Sequence, residues 1–185
     1  MRLFVAVNLP EAVRQELWQS AAPLRERGYP VRWSAPEGLH VTLKFLGEVG
    51  EARLEACRAA LGAAVRGARP LALPMSGFGA FPDARHPRVI WAGVAPEPAL
   101  ELLQDRVERE FGPLGFPPEG RPFRPHISLG RARRGARPRG WAGLDAALAA
   151  LSFDSVASVS TVELMASLLQ RAGAVYQVNH SERLL

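Results

Sequence analysis

Of the four histidines in this 185-residue chain, two open closely matched tetrads, His40-Val41-Thr42-Leu43 and His126-Ile127-Ser128-Leu129. Each sets a hydroxyl two residues after the imidazole and a leucine one residue further on. Only 12 of the 185 residues are Ser or Thr, so a given His is followed this way by chance about 6% of the time, and two of four roughly 2%. In a β-strand, successive side chains point to opposite faces. His40 would then share a face with Thr42, and His126 with Ser128, while Val41, Leu43, Ile127 and Leu129 anchor the strands from behind. Two such strands facing one groove would gather two imidazoles and two hydroxyls around one small anionic group.

That set suits phosphoester chemistry by general acid–base catalysis. Histidine titrates near neutral pH, so one ring can hold a proton while the other lacks one. The neutral ring can activate an attacking water and the protonated ring can donate to a departing ribose oxygen, each transfer typically giving roughly 10²- to 10⁴-fold in rate. The hydroxyls of Thr42 and Ser128 can donate to non-bridging phosphate oxygens as charge builds there. None of this needs a metal, a cofactor or a covalent enzyme intermediate, and the sequence has no His-x-His or His-x-x-x-His pair that would suggest a metal. A lone histidine on such a strand is ordinarily structural, bonded to a backbone carbonyl; the duplication is what argues for chemistry. His86 and His180 lack the tetrad and read as surface or structural residues.

Holding these strands takes a mixed scaffold. Leu3 to Val7 reads as a buried first strand, and Pro10 or Glu11 opens a helix with Val13, Leu17, Ala21 and Leu24 on one face and Gly28 as its stop. Val31 to Trp33 forms a short strand, and Leu39 to Leu46 the first motif strand. A second helix carries Leu54, Cys57, Leu61 and Val65 at spacings of three and four. Residues 71–81 and 88–94 read as paired strands, and a third helix carries Leu100, Leu103, Val107 and Phe111. Phe123 to Leu129 then gives the second motif strand, followed by an Arg-rich loop and a short helix with Leu144, Leu148 and Leu151. Two last strands, near 156–169 and 174–179, flank a turn at Arg171-Ala172-Gly173. Strands and helices without a long series of crossovers point to α+β rather than a doubly wound parallel sheet. No linker divides the chain, so residues 1–185 read as one domain.

Composition narrows the partners. The net charge is +5, and Lys44 is the only lysine beside 22 arginines. Guanidinium forks pair bidentately with phosphate, which suits a nucleic acid or nucleotide ligand, although a biased coding composition gives the same excess without one. The single cysteine, Cys57, excludes an internal disulfide and a multi-cysteine metal site and sits at a core position of its helix. The apolar start of the chain is too short to span a membrane and lacks a signal-peptide cleavage pattern. A cytoplasmic monomer with no membrane association is the expectation.

With the tetrads in this context, the chain resembles the 2H phosphoesterase superfamily, specifically the bacterial and archaeal RNA 2′,3′-cyclic phosphodiesterases, also called 2′-5′ RNA ligases. The likeness runs through Arg2-Leu3-Phe4-Val5-Ala6-Val7, Trp33, Leu39 to Glu48, Phe78-Gly79-Ala80-Phe81, Pro87 to Trp91, Arg121 to Arg131, Ser167 and Gly173 to Tyr176. It implies a two-lobed α+β fold with pseudo-twofold symmetry, antiparallel sheets lining a central cleft and helices outside, with the motif strands facing each other. It implies hydrolysis of 2′,3′-cyclic phosphate ends to 2′-phosphates, with His40 as proton donor to the leaving 3′ oxygen and His126 as proton acceptor from water. The residues alone leave that assignment open, because the tetrads are nearly equivalent. Ser128 stands where Thr is commoner, which keeps the hydroxyl and loosens χ1.

Arg131 is a candidate phosphate contact, and the run Arg131, Arg133, Arg134, Arg137 and Arg139 reads as a solvated loop or as a track for an RNA backbone. Phe45, Phe78, Phe81 and Trp33 could stack on a base, with core packing the default for each. Two other functions stay open on the sequence alone. One is 2′-5′ joining of RNA ends by the reverse reaction; the other is an RNA-binding module without catalysis.

Overall fold

The computed structural model describes residues 1–170 and 173–185; the expected turn at 171–173 falls largely outside them. Among the described residues, nine strands form one antiparallel sheet. They are β1 (Arg2–Asn8), β2 (Val31–Trp33), β3 (His40–Glu48), β4 (Leu71–Phe81), β5 (Val89–Val94), β6 (His126–Ala132), β7 (Asp154–Val159), β8 (Thr161–Gln170) and β9 (Gly173–Arg183). Their order is β7-β4-β5-β6-β3-β1-β8-β9, with β2 added beside β6. The first motif strand, β3, and the second, β6, therefore lie at the centre, each flanked by three more strands of its own half.

The helices are α1 (Glu11–Ser20), α2 (Ala22–Arg25), α3 (Leu54–Val65), α4 (Pro98–Phe111) and α5 (Leu144–Ala149). Leu17, Cys57, Leu61, Leu100, Leu103, Val107, Phe111, Leu144 and Leu148 are all buried in one cluster with Val5, Val7, Val41, Leu43, Leu73, Ile90, Ile127 and Leu129 from the strands. One sheet face is thus covered by helices. A much smaller cluster of Phe4, Ala6 and Met165, with Tyr176 against it, lies apart from that core. The alternation in β4 is regular, Leu71, Leu73 and Met75 being buried between exposed neighbours. This is the α+β arrangement expected from the pattern of elements.

Four boundaries differ from the sequence reading for physical reasons. The first helix breaks at Ala21, because Pro23 lacks an N–H and its ring crowds the carbonyl four residues earlier. The second motif strand begins at His126 rather than Phe123, since Pro122 and Pro125 cannot donate to a ladder. It also runs on through Arg131 and Ala132, which pair with β2 and β5 instead of entering the loop. The stretch near 156–169 is two strands, β7 and β8, split at Ser160 and belonging to opposite halves of the sheet. Neighbouring in sequence yet distant in strand order, they require a strongly curved sheet. Among the described residues, no helix is long and apolar enough to cross a membrane.

Candidate active site

The two motif strands are side by side rather than facing. They meet at a single antiparallel pair, Val41 with Ile127, and both of these side chains are fully buried in the core. Continuing that register sets His40 opposite Ser128 and Thr42 opposite His126. Residues directly opposite share a face, so all four polar side chains stand on the face away from the helices. The histidines are diagonal cross-strand neighbours, a relation that in a regular antiparallel pair puts Cα atoms about 7–8 Å apart.

Both rings are held by the same device. Nδ1 of His40 lies 2.7 Å from the Gly38 carbonyl oxygen, and Nδ1 of His126 lies 2.7 Å from the Arg124 carbonyl oxygen. A carbonyl only accepts, so each Nδ1 carries a hydrogen and each Nε2 is left for other work. Each ring also meets an aromatic edge-on: Tyr176 beside His40 at 5.0 Å and 85°, Phe81 beside His126 at 5.0 Å and 86°. Phe4 adds a second wall at 4.9 Å from His40.

A bulge after each hydroxyl residue then re-aims the remainder of its strand. Along β3, Thr42 pairs with Ala6 but Lys44 pairs with Val5, so Leu43 is the extra residue. Along β6, Ser128 pairs with Trp91 but Gly130 pairs with Ile90, so Leu129 is the extra residue. Each bulge shifts the alternation by one. Lys44 turns inward, 1% exposed, onto the Glu108 carboxylate and, at 2.8 Å, the Pro117 carbonyl. Phe45 and Arg131, the fifth residue after each histidine, come to the open face beside the tetrads. Phe45 is 58% exposed there.

Burial pulls the His40 pKa down to about 4; the bond to the Gly38 carbonyl opposes this, while the charges of Arg131 and His126 push the same way. The protein's own groups therefore hold His40 neutral at pH 7.

The family that matches this chain is that of the LigT-like phosphoesterases, once over residues 7–91 and again over 93–176. Each match contains one tetrad, as two halves related by a pseudo-twofold would. The chain belongs to the LigT-like phosphoesterase family. A Methanothermobacter thermautotrophicus protein named RNA 2′,3′-cyclic phosphodiesterase is 35% identical over 178 residues, covering 95% of each chain. A Thermotoga maritima protein of the same name is 31% identical over 96% of this chain and 92% of its own. Among solved structures, an Escherichia coli LigT bound to 3′-AMP is 26% identical with a TM-score of 0.75, covering 99% of this chain and 97% of that one.

In this LigT-like phosphoesterase the other nominated residues divide. Phe78 packs on Phe153 in the core and Trp33 packs against it, so neither serves the cleft. Cys57 is buried. His86 is exposed in the loop after β4, and His180 Nε2 bonds Glu182 at 2.8 Å away from the tetrads. Arg133 bonds the Val31 carbonyl through Nε. Among the described residues, no cluster of three or more His, Cys, Asp or Glu could hold a metal ion. Several cleft residues escaped the sequence reading. Asn8 pairs with His40, and buried Glu163 stands beside Ala6, accepting from the Asn8 backbone N–H at 3.3 Å and from Ser181 Oγ at 3.4 Å. Period-two alternation from Phe4 to Asn8 could have found Phe4 and Asn8; only the strand order brings Glu163 and Tyr176 near.

Proposed function

We propose that this chain hydrolyses RNA 2′,3′-cyclic phosphate ends to 2′-phosphates, with His40 as proton donor, His126 as proton acceptor, and Thr42 and Ser128 binding the phosphate oxygens. The observation that carries the reading is the pair of imidazoles with Nδ1 tied to a carbonyl and, among the described residues, no hydrogen-bond partner on Nε2, set on one sheet face with two hydroxyls between them. His126 Nε2 takes a proton as water attacks phosphorus. His40 Nε2–H gives its proton to O3′ as the P–O3′ bond breaks, leaving a 2′-phosphate and a 3′-hydroxyl. Thr42 and Ser128 donate to the non-bridging oxygens where charge accumulates. Arg131 adds a guanidinium at the rim. The names of the relatives and the 3′-AMP bound by the E. coli protein support a nucleotide substrate.

His40 must be protonated to act as donor. A bound phosphodiester anion supplies the stabilisation that the protein's own groups do not give its cation, raising its pKa toward neutrality. The low value of about 4 in the protein alone also favours a second assignment, in which His40 takes the proton from water and His126 donates. Titrating the His40 ring by NMR with a nucleotide 2′-monophosphate bound separates the two: a pKa near 7 supports His40 as donor, and a value still near 4 reverses the roles.

One continuous sheet and one main buried cluster support treating residues 1–185 as a single two-lobed domain, and because both tetrads come from one chain the site is complete in a monomer. Joining of RNA ends would use the same site with a 5′-hydroxyl in place of water as the group that attacks phosphorus while P–O3′ breaks, and incubation with cyclic-phosphate and 5′-hydroxyl RNA ends tests it. The decisive assay incubates purified protein with a 2′,3′-cyclic nucleotide in the presence of a chelator. Conversion to the 2′-phosphate is the expected result; salt-sensitive RNA binding without turnover would replace this reading with a binding module.

A further inference from the structure

Between residues 120 and 144 the chain carries seven arginines and no acidic residue. Four of them, Arg133, Arg134, Arg137 and Arg139, fall in the loop that follows β6, and all four are exposed. The turn after β4 adds exposed Arg85, His86 and Arg88. Two adjoining hollows of about 240 and 350 Å³ lie between this turn and that loop, sharing His86, Pro138 and Trp141. They make one trough, with residues 84–88 as one wall and residues 132–145 as the other.

The cations along it are available to a ligand. Among the described residues, Arg85, Arg88, Arg134, Arg137 and Arg139 form no ion pair, and Arg133 commits only Nε, to the Val31 carbonyl. Asp83 shapes the turn: its carboxylate accepts from the backbone N–H groups of Arg85 and His86 at 2.8 and 2.9 Å. Asp145 is the one acid that lines the trough. Its floor is apolar, and it offers no ring to a base. Trp141 is 6% exposed, with Tyr29 stacked on it at 6.4 Å and 14°. Guanidiniums on the rim without an aromatic platform suit phosphates and sugars rather than bases.

Both walls grow out of strands that build the cleft. The turn leaves β4 at Phe81, whose ring stands edge-on to His126, and the loop leaves β6 at Ala132. The walls are stitched together there, the Ala132 N–H donating to the Arg88 carbonyl at 3.0 Å. From His126 to Ala132 the strand covers about 20 Å, so the trough lies beyond the reach of a single nucleotide held at the tetrads. We infer that it is a second site, which holds the RNA backbone on the 5′ side of the cyclic-phosphate nucleotide. The inference rests on the cyclic phosphodiesterase reading and deepens it: the substrate is the end of a single strand several nucleotides long, gripped by its phosphates whatever its sequence. Each phosphate neutralised by a guanidinium releases counterion, so this grip weakens with salt. A cyclic mononucleotide, which ends at the tetrads, gains nothing from it.

The test compares a cyclic mononucleotide with a single-stranded RNA of about ten nucleotides ending in a 2′,3′-cyclic phosphate, a length within the range such sites cover. In R85A/R88A the KM for the longer RNA should rise at least ~10-fold at low salt, while kcat for both substrates and the mononucleotide KM stay unchanged. The slope of log KM against log salt for the longer RNA should fall by about one, since each phosphate contact on a single strand contributes roughly 0.7. R85K/R88K, which keeps both charges, should recover most of the affinity. A KM for the longer RNA that R85A/R88A leaves unaltered, or a rise shared equally by the mononucleotide, overturns the inference while leaving the cyclic phosphodiesterase reading intact. Absence of turnover of either substrate by the unaltered protein sinks both.

Discussion

The two motif strands match on the face toward the cleft and differ on the face toward the core. Behind Thr42, the bulged strand β3 is fixed by Lys44, whose buried ammonium reaches Glu108 of α4 and the Pro117 carbonyl. Gln104 steadies the other carboxylate oxygen of Glu108 at 3.1 Å. Behind Ser128, the same position of β6 is Gly130. A Cβ there would stand 2.5 Å from Val31 Cγ1, 3.0 Å from the Arg32 carbonyl oxygen and 3.0 Å from the Trp33 ring. One strand is held by a long side chain tying it to a helix, the other by having no side chain, so that β2 can close over it. The chemistry constrains where the polar groups point and leaves each half to reach that direction by its own packing.

This contrast can be broken from either side. The largest effect belongs to the shared face: His40→Ala and His126→Ala should each lower the rate of cyclic phosphate opening by about 10³-fold, measured in single-turnover assays. Activity near that of the unaltered protein in either variant would end the acid–base account. The core-side anchors come next. Lys44→Met leaves Glu108 without its partner and should cost roughly 3 kcal/mol in urea unfolding. Gly130→Ala forces β2 away and should cost about 2 kcal/mol. A destabilisation confined to one of the two would show that the strands are not equally dependent on their anchors.

A smaller effect sharpens the comparison of the two imidazoles. His40 resists protonation in the folded protein without a bound anion, whereas the unfolded chain takes its proton near the ordinary histidine value. Between about pH 6.5 and 4 the unfolded state binds more protons, so stability falls as pH falls through that window, by at most about 3 kcal/mol. His40→Gln should flatten that part of the profile. The same linkage makes anion binding take up a proton, so inorganic phosphate should bind more tightly as pH drops from 7 toward 5, after allowance for its own ionisation.

The sequence carried the tetrads and the shared face of each polar pair, because period-two alternation needs no knowledge of the neighbouring strand. It also carried the core faces of α3 and α4, whose apolar spacing depends only on helical geometry. The bulges at Leu43 and Leu129 were hidden. Strict alternation would send Lys44 outward beside Thr42 and Arg131 inward beside Ile127. Pairing with β1 and β5 is what reverses both, and no local signal in either segment announces it. The placement of Phe81 and Tyr176 against the histidines was hidden for a related reason. Tyr176 and Phe81 lie 136 and 45 residues from the histidines they touch, and only the strand order brings them close. The break between β7 and β8 was equally illegible, since no glycine or proline marks Ser160.

Among the described residues, one cross-strand pair, Val41 with Ile127, is the backbone registry between the two motif strands themselves. So short a seam contributes little stiffness of its own. The gap between the two imidazoles is instead maintained by the shared interior pressing on both strands from behind. Trimming a methyl group from that interior would be felt as a misaligned reaction before it was felt as a loss of fold.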